Sequence, residues 1–213
     1  HRWRDQPRRP PRFLHPAGKV AAFDRNGTES FVRAAYLARD LDATIATLEP
    51  LPDELVPSGD WVDVAVGGVE HYWQVTDGYD AVVIPRRYGG LCMGAQEAMA
   101  AGLAVVMPAW PPNQEMWPIV PVRATRGGRV PLPAGWMPLC DVDPSQLADT
   151  MLRLRDDPNM LADAREASLA WAEDHSWERL VPLYETEFQR VIDHPLPAPP
   201  VDQRAINPFS ARR

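Results

Sequence analysis

The stretch from Asp80 to Pro108 carries the residues best suited to bind a charged ligand. A short apolar run ends at Pro85, and a helical pattern starts near Leu91. Between them lie Arg86, Arg87, Tyr88, Gly89 and Gly90. Glycines let a ligand approach the backbone closely, and the amino end of a helix offers unpaired N–H groups with a partial positive charge. This turn therefore suits a diphosphate, with the N–H groups of Gly90 and Leu91 facing it.

Several of these residues also have a purely structural interpretation. Glu97 lies one turn into the helix, where its carboxylate can accept hydrogen bonds from sugar hydroxyls but cannot help to bind phosphate. It can equally be a surface glutamate. The two arginines are either phosphate ligands or exposed charges at a rim, and the two glycines either contact a ligand or form a tight turn.

The elements around this stretch alternate between strands and helices. Strand-like segments occupy residues 12–15, 43–47, 62–66, 80–84 and 103–107, and helical patterns occupy residues 28–39 and 93–101. Repeated strand–helix–strand order predicts an α/β fold with a Rossmann-like, doubly wound parallel sheet. Ligands of such sheets bind beyond the carboxyl ends of the strands, which is where the arginine and glycine turn falls.

The C-terminal third is helical. Asp143 followed by Pro144 predicts an N-cap and the first residue of a helix, a second helix follows Pro158, and a third starts near Ser176. Asp141 and Asp143 also match a D-x-D metal motif, but capping explains Asp143 better, so no metal site is predicted. His15 is predicted to be structural or to line the cleft. Three tryptophans are predicted to pack in the core or line a donor pocket: Trp110, Trp117 and Trp136.

Residues 80–108 resemble the donor-site signature of the retaining GT-B glycosyltransferases, especially those of family four. In that signature a strand ends in proline, and a glycine-containing loop, a helix reading roughly LEAMAAG and another strand follow. The chain has QEAMAAG from Gln96 to Gly102. The resemblance implies that Glu97, as the second of two glutamates, binds the nucleotide ribose. Gly89 stands where the first glutamate would fall, so the donor sugar's hydroxyls must be held differently.

The resemblance extends over about residues 12–192. It implies that Lys19 and Arg25 are the basic pair that grips the diphosphate, and that these two and Glu97 form the catalytic set. Together with the amino end of the helix near Leu91, the pair would stabilise charge on the departing diphosphate. The implied donor-binding residues are Gly18, Asn26, Gly27, Gly68, Val69, Arg87, Tyr88, Gly89, Gly90 and Leu91. Of these, Gly68 and Val69 follow a strand where this fold cradles the base.

The resemblance also predicts the domain organisation. Residues 1–11 are expected to be a linker or remnant of an acceptor domain, residues 12–193 the nucleotide-sugar-binding domain, and residues 194–213 a flexible tail. The last helix resembles one that crosses back to the acceptor domain in GT-B enzymes. An N-terminal acceptor domain or a partner chain is therefore expected to complete the enzyme.

Composition restricts the class of partner. The 213 residues carry a formal net charge of −7, which argues against a nucleic-acid partner. Two cysteines cannot form a disulfide framework and fit a cytoplasmic protein. No apolar run approaches the roughly 18 residues that a membrane span needs.

The predicted function is to bind a UDP-, GDP- or ADP-sugar as substrate, with no tightly bound cofactor, for transfer of a hexosyl group. The resemblance implies retention of configuration; the acceptor, whether glycan, protein or lipid, is left open. Two alternatives remain. One is a non-catalytic nucleotide-binding or assembly subunit, which Gly89 mildly favours. The other is half of a sugar-nucleotide epimerase, which shares the GT-B architecture.

Overall fold

The computed structural model describes residues 9–20, 24–132 and 135–194. The chain divides into two compact units, residues 1–174 and 175–213. Residues 1–8 and 195–213, which make up most of the predicted linker and tail, lie outside the described residues. The predicted domain boundaries therefore stay a prediction.

The first unit is built on a parallel sheet of six strands. The strands are β1 (Arg12–Gly18), β2 (Asp42–Thr47), β3 (Asp63–Val66), β4 (Ala81–Val83), β5 (Ala104–Pro108) and β6 (Val120–Val122). Their order is β3-β2-β1-β4-β5-β6, and every neighbouring pair is parallel. The order reverses between β1 and β4, as in dinucleotide-binding folds. The predicted Rossmann-like α/β class is confirmed.

Helices cover both faces of the sheet because successive side chains on each strand point to opposite faces. On β1, Phe13 belongs to one apolar cluster and Leu14 to the other. The first cluster is completed by α1 (Thr28–Leu37) and α4 (Pro144–Asp156), and the second by α2 (Met93–Ala100). Trp117 is buried in the second cluster, which confirms the core interpretation for that tryptophan.

The helix ends follow the residues that cap them. Asp143 accepts hydrogen bonds from the N–H groups of Ser145 and Gln146, which confirms it as the N-cap of α4. Gly102 has a φ of +74° directly after the C-cap of α2, the left-handed conformation that glycine favours there. The short helix α3 (Asn113–Met116) and the long helix α5 (Pro158–Asp174) complete the α-helices of this unit among the described residues, and two 3-10 helices lie at Asp53–Leu55 and Tyr72–Val75.

A β-hairpin that the sequence did not predict follows the sheet. It consists of β7 (Ala124–Leu132) and β8 (Gly135–Val142), which pair antiparallel. Its second strand is fastened to the turn after β4: the Cys140 N–H donates to the carbonyl of Arg87 at 2.8 Å, and Arg87 Nε donates to Asp141 Oδ1 at 2.8 Å. The hairpin therefore stands beside the candidate ligand turn.

The second unit contains α6 (Trp177–Asp193), with Ser176 at its N-cap, so the predicted helix start near Ser176 is confirmed. Within this helix the rings of Trp177 and Tyr184 lie 6.4 Å apart, and those of Tyr184 and Phe188 lie 6.2 Å apart. These contacts place the three aromatic rings along one side of the helix. Across the described ranges, no helix has the length and apolar character required to cross a bilayer.

Candidate functional site

A cavity of about 750 Å³ opens at the carboxyl ends of the first four strands of the sheet. Residues at or just after β1, β2, β3 and β4 contribute to it, so it includes the point where the strand order reverses. Ligands of open parallel sheets bind at this position. The predicted residues that line the cavity are Gly18, Arg25, Asn26, Gly68, Val69 and Leu91.

The loop between β1 and α1 brings Arg25 and Asn26 to the cavity. The Asp24 carboxylate accepts hydrogen bonds from the N–H groups of Thr28 and Glu29, so it caps α1 and fixes the end of the loop. Asn26 Nδ2 donates to the carbonyl of Ala17 at 2.8 Å, which holds that side chain against the end of β1.

This loop is fastened to the turn after β4. The N–H of Arg87 donates to the carbonyl of Arg25 at 2.9 Å. Gly27 has a φ of +73°, and a Cβ added there would overlap the Pro85 carbonyl. Gly27 therefore serves the close approach of two backbones and does not line the cavity among the described residues.

The amino end of α2 forms another wall of the cavity. Leu91, Cys92, Met93 and Gly94 all line it. The helix itself begins at Met93, with Cys92 as N-cap, two residues after the start predicted near Leu91. The first N–H groups of a helix have no partner within it and carry a partial positive charge. This wall can therefore bind an anion, with Gly90 exposed just before it.

Arg86 and Arg25 converge on the backbone of Gly89. Arg86 is only 8% exposed, and its Nε donates to the carbonyl of Tyr88 at 2.9 Å. A Cβ on Gly89 would overlap the Arg86 guanidinium and lie 2.9 Å from Arg25 Nη2. Gly89 also has a φ of +127°, a conformation that other residues rarely adopt. The space in which a glutamate side chain would start is thus filled by two guanidinium groups.

Glu97 lies one turn into α2 and is half-buried, and this burial raises the pKa of its carboxyl above the ordinary value. Among the described residues, those that line the cavity do not include it. Its role as a ribose ligand stays a prediction.

Lys19 also lies away from the cavity lining. Its Nζ donates to Glu49 Oε1 at 2.7 Å, and both side chains are exposed. To reach a diphosphate, Lys19 would have to leave this ion pair. Because an exposed pair is worth only about 0–1 kcal/mol, the pair does not exclude the predicted role.

A second, smaller cavity of about 180 Å³ lies on the other side of the turn after β4. Three predicted donor-binding residues line it, Arg87, Tyr88 and Gly89. Trp110 and Met137 contribute apolar surface to the same cavity. Trp136, in contrast, is 67% exposed.

Sequence reasoning missed part of the cavity lining. Thr47 and Gly67 line it, at and just after the ends of two strands whose carboxyl ends were predicted correctly at residues 47 and 66. Gly94 was also missed, although a glycine in the first turn of a helix is a signal for close backbone approach by a ligand. Arg86 was weighed from the sequence as a phosphate ligand or a rim charge; its burial excludes an exposed rim position.

No family model matches the sequence, and no curated protein matches it either. Solved structures do match its fold. One is the C-terminal domain of a glycosyl transferase group 1 family protein (LpcC) from Francisella tularensis. The two share 18% identity with a TM-score of 0.56, over 76% of this chain and 84% of that domain.

Two longer proteins also match. Sucrose-phosphate synthase from Thermosynechococcus elongatus has 18% identity and a TM-score of 0.61, over 86% of this chain and 46% of that one. The pneumococcal O-GlcNAc transferase GtfA, solved in complex with UDP and GlcNAc, has 16% identity and a TM-score of 0.58, over 86% of this chain and 36% of that one. This chain thus spans less than half of either protein.

These matches define the class of domain. The chain has the fold of the C-terminal domain of GT-B glycosyltransferases.

Proposed function

We propose that this domain binds the nucleotide-diphosphate part of a sugar donor and presents the sugar for transfer. The observation that carries the proposal is the cavity at the strand-order reversal, which combines the amino end of α2 with Arg25. A helix amino end and a guanidinium both favour a negatively charged ligand. The complex of the similarly folded GtfA with UDP supports the same ligand class.

The proposed arrangement assigns each wall of the cavity to one part of the donor. The diphosphate lies between Arg25 and the N–H groups that begin α2, and the base lies against Gly67, Gly68 and Val69. Glu97, one turn along the same helix, is the proposed ribose ligand. The donor is a UDP-, GDP- or ADP-sugar.

The chemical contribution of these residues is electrostatic. When the glycosidic bond to the diphosphate breaks, negative charge grows on the leaving group. Arg25 and the α2 amino end are already oriented toward it, so no reorganisation is needed. We propose a hexosyl transfer with retention of configuration. We also propose that an acceptor half, from the same protein or a partner chain, supplies the remaining contacts, so that the chain alone transfers little.

Binding is tested by calorimetric titration with the UDP, GDP and ADP forms of glucose. Arg25→Met is expected to weaken the donor that binds best by about tenfold to a hundredfold, because a hydrogen bond to a charged group contributes about 1.5–3 kcal/mol. Arg39→Met is the matched control, since Arg39 is exposed just beyond the far end of α1. If a folded sample binds none of the donors, the donor-binding proposal fails and an assembly role is favoured.

Glu97→Gln separates ribose binding from phosphate binding. The substitution is expected to weaken a nucleoside diphosphate by about fivefold, since one hydrogen bond contributes about 1 kcal/mol, and to leave inorganic pyrophosphate unaffected. Both ligands are titrated into both proteins. Equal weakening of the two ligands, or of neither, would remove Glu97 from the ribose site.

A further inference from the structure

One nitrogen of the Arg86 guanidinium has no hydrogen-bond partner within the described part of the chain, although Nε of the same group is paired. This nitrogen, Nη2, is buried. A buried donor without a partner is costly. In a native structure such a group calls for an explanation, such as a functional role or a bound ion or water.

The charges around Arg86 also indicate that an anion is missing from this part of the site. Nη2 of Arg25 lies beside the same Gly89 backbone, so two cations meet there. The nearby carboxylate of Asp141 is already paired with Arg87. The cavity of about 750 Å³ is called the donor cavity below. Among the described residues that line it, the only carboxylate is that of Glu70, and its side chain is 83% exposed. A negative charge is therefore missing from this part of the site.

The position of Arg86 indicates which part of a donor it faces. Arg86 lines both the donor cavity and the smaller cavity beside it. Part of the wall of the smaller cavity is apolar, including Trp110 and Met137. Ligand sites commonly combine such walls with a few placed polar groups. Because the sugar is bonded to the diphosphate, it is the part of the donor that continues past the α2 amino end.

We propose that Arg86, assisted by Arg25, binds a carboxylate on the transferred sugar, so that the donor is a nucleotide-activated uronic acid. The planar guanidinium matches a carboxylate with two parallel hydrogen bonds. The proposal deepens the proposed function and rests on it. It also explains why residue 89 is a glycine, because a side chain there would displace the Arg86 guanidinium that binds the carboxylate.

The test uses pairs of donors that differ only at C6 of the sugar. Titration with UDP, GDP and ADP identifies the base. The matching pair is then UDP-glucuronate and UDP-glucose, GDP-mannuronate and GDP-mannose, or ADP-glucuronate and ADP-glucose. The unsubstituted protein is expected to bind the acidic donor at least about tenfold more tightly, as one added charge-assisted hydrogen-bonded pair allows.

Substitutions of Arg86 test whether this residue causes the preference for the acidic donor. Arg86→Met is expected to remove the difference within the pair, so that the acidic donor loses at least about tenfold more affinity than the neutral donor and the bare nucleotide. The control Arg39→Met should keep the preference. Arg86→Lys retains the positive charge but loses the planar pair of donors, so its preference for the acidic donor over the neutral donor is expected to be smaller. The same variant replaces Arg86→Met in the test if Arg86→Met fails to fold.

The outcomes separate this inference from the proposed function. Equal affinity for the two donors of the pair would overturn the inference and leave the proposed function standing. If Arg86→Met weakens the bare nucleotide as much as the acidic donor, Arg86 binds the diphosphate and the inference is wrong. If no nucleoside diphosphate binds, both proposals fail.

Discussion

Replacing Gly27 with alanine is expected to destabilise the first unit by about 3 kcal/mol and to abolish donor binding. A φ of +73° costs a residue with a Cβ about 1–2 kcal/mol. The new Cβ would also overlap the Pro85 carbonyl, which is backbone and cannot rotate away, and such overpacking costs about 1–3 kcal/mol. The overlap is relieved only if the β1–α1 loop moves away from the turn after β4. This movement would carry Arg25 away from the α2 amino end.

Urea unfolding of both proteins measures the loss of stability, and titration of the nucleoside diphosphates measures the loss of binding. Gly68→Ala is the matched control for the stability measurement. Gly68 lines the same cavity, but a Cβ there meets nothing within 4 Å. It should stay within about 0.5 kcal/mol of the unsubstituted protein. A Gly27→Ala protein of normal stability would show that the close contact with Pro85 is not required.

Stability is expected to fall as the pH is lowered from about 6.5 to 4, because of His15. The imidazole is fully buried beneath the same loop and stacks on Phe31 with ring centroids 4.7 Å apart. Its Nδ1 donates to the carbonyl of Val83 at 2.9 Å, and its Nε2 lies 3.1 Å from Thr28 Oγ1. Burial, which disfavours the charged ring, lowers the pKa of His15 from 6.5 to about 4, against smaller opposing effects of Val83 and Asp24.

The direction of the effect follows from the two pKa values. The unfolded chain takes up the proton near pH 6.5, whereas the folded protein resists it until about pH 4. Acid therefore favours unfolding throughout this window, by about 3 kcal/mol across its whole width. Above pH 6.5 the ring is neutral in both states, and the penalty is absent.

Denaturation midpoints at pH 7, 6, 5 and 4.5 measure this dependence. His15→Gln is expected to be less stable at pH 7 and to lose the part of the slope that His15 contributes. His71→Gln removes an exposed imidazole and should keep the slope. An unchanged slope in His15→Gln would mean that His15 is not the group responsible.

The sequence predicted the sheet well because its central strands are short apolar runs between helical patterns. The run at residues 80–84 matches β4 closely, and the run at residues 103–107 matches β5. A strand buried on both faces leaves this signal in its composition. The hairpin left none: β7 contains Gly127, Gly128 and Pro131, which are typical of loops. Contacts with Arg87, distant in sequence, position it instead.

The candidate site was predicted less completely than the fold. Arg25 and Asn26 lie on the cavity because they directly precede a helix that was predicted correctly. The burial of Arg86 was not predictable, since it depends on the approach of the β1–α1 loop to the turn after β4. The sequence showed that Gly89 stands where the family-four signature has its first glutamate. Only the structure shows that two guanidinium groups occupy the space beside it.

The hairpin of β7 and β8 contributes to only one of the two cavities, among the described residues that line them. The larger one is bordered by segments that leave the sheet, whereas Met137 and Pro138 of the hairpin border only the smaller one. Exchange of Met137 and Pro138 therefore changes the lining of the smaller cavity alone, as long as Cys140 and Asp141 keep the hairpin fastened to Arg87. Under the proposed function, such exchanges would alter the accepted sugar while keeping the nucleotide, a freedom open to protein engineering and to evolution.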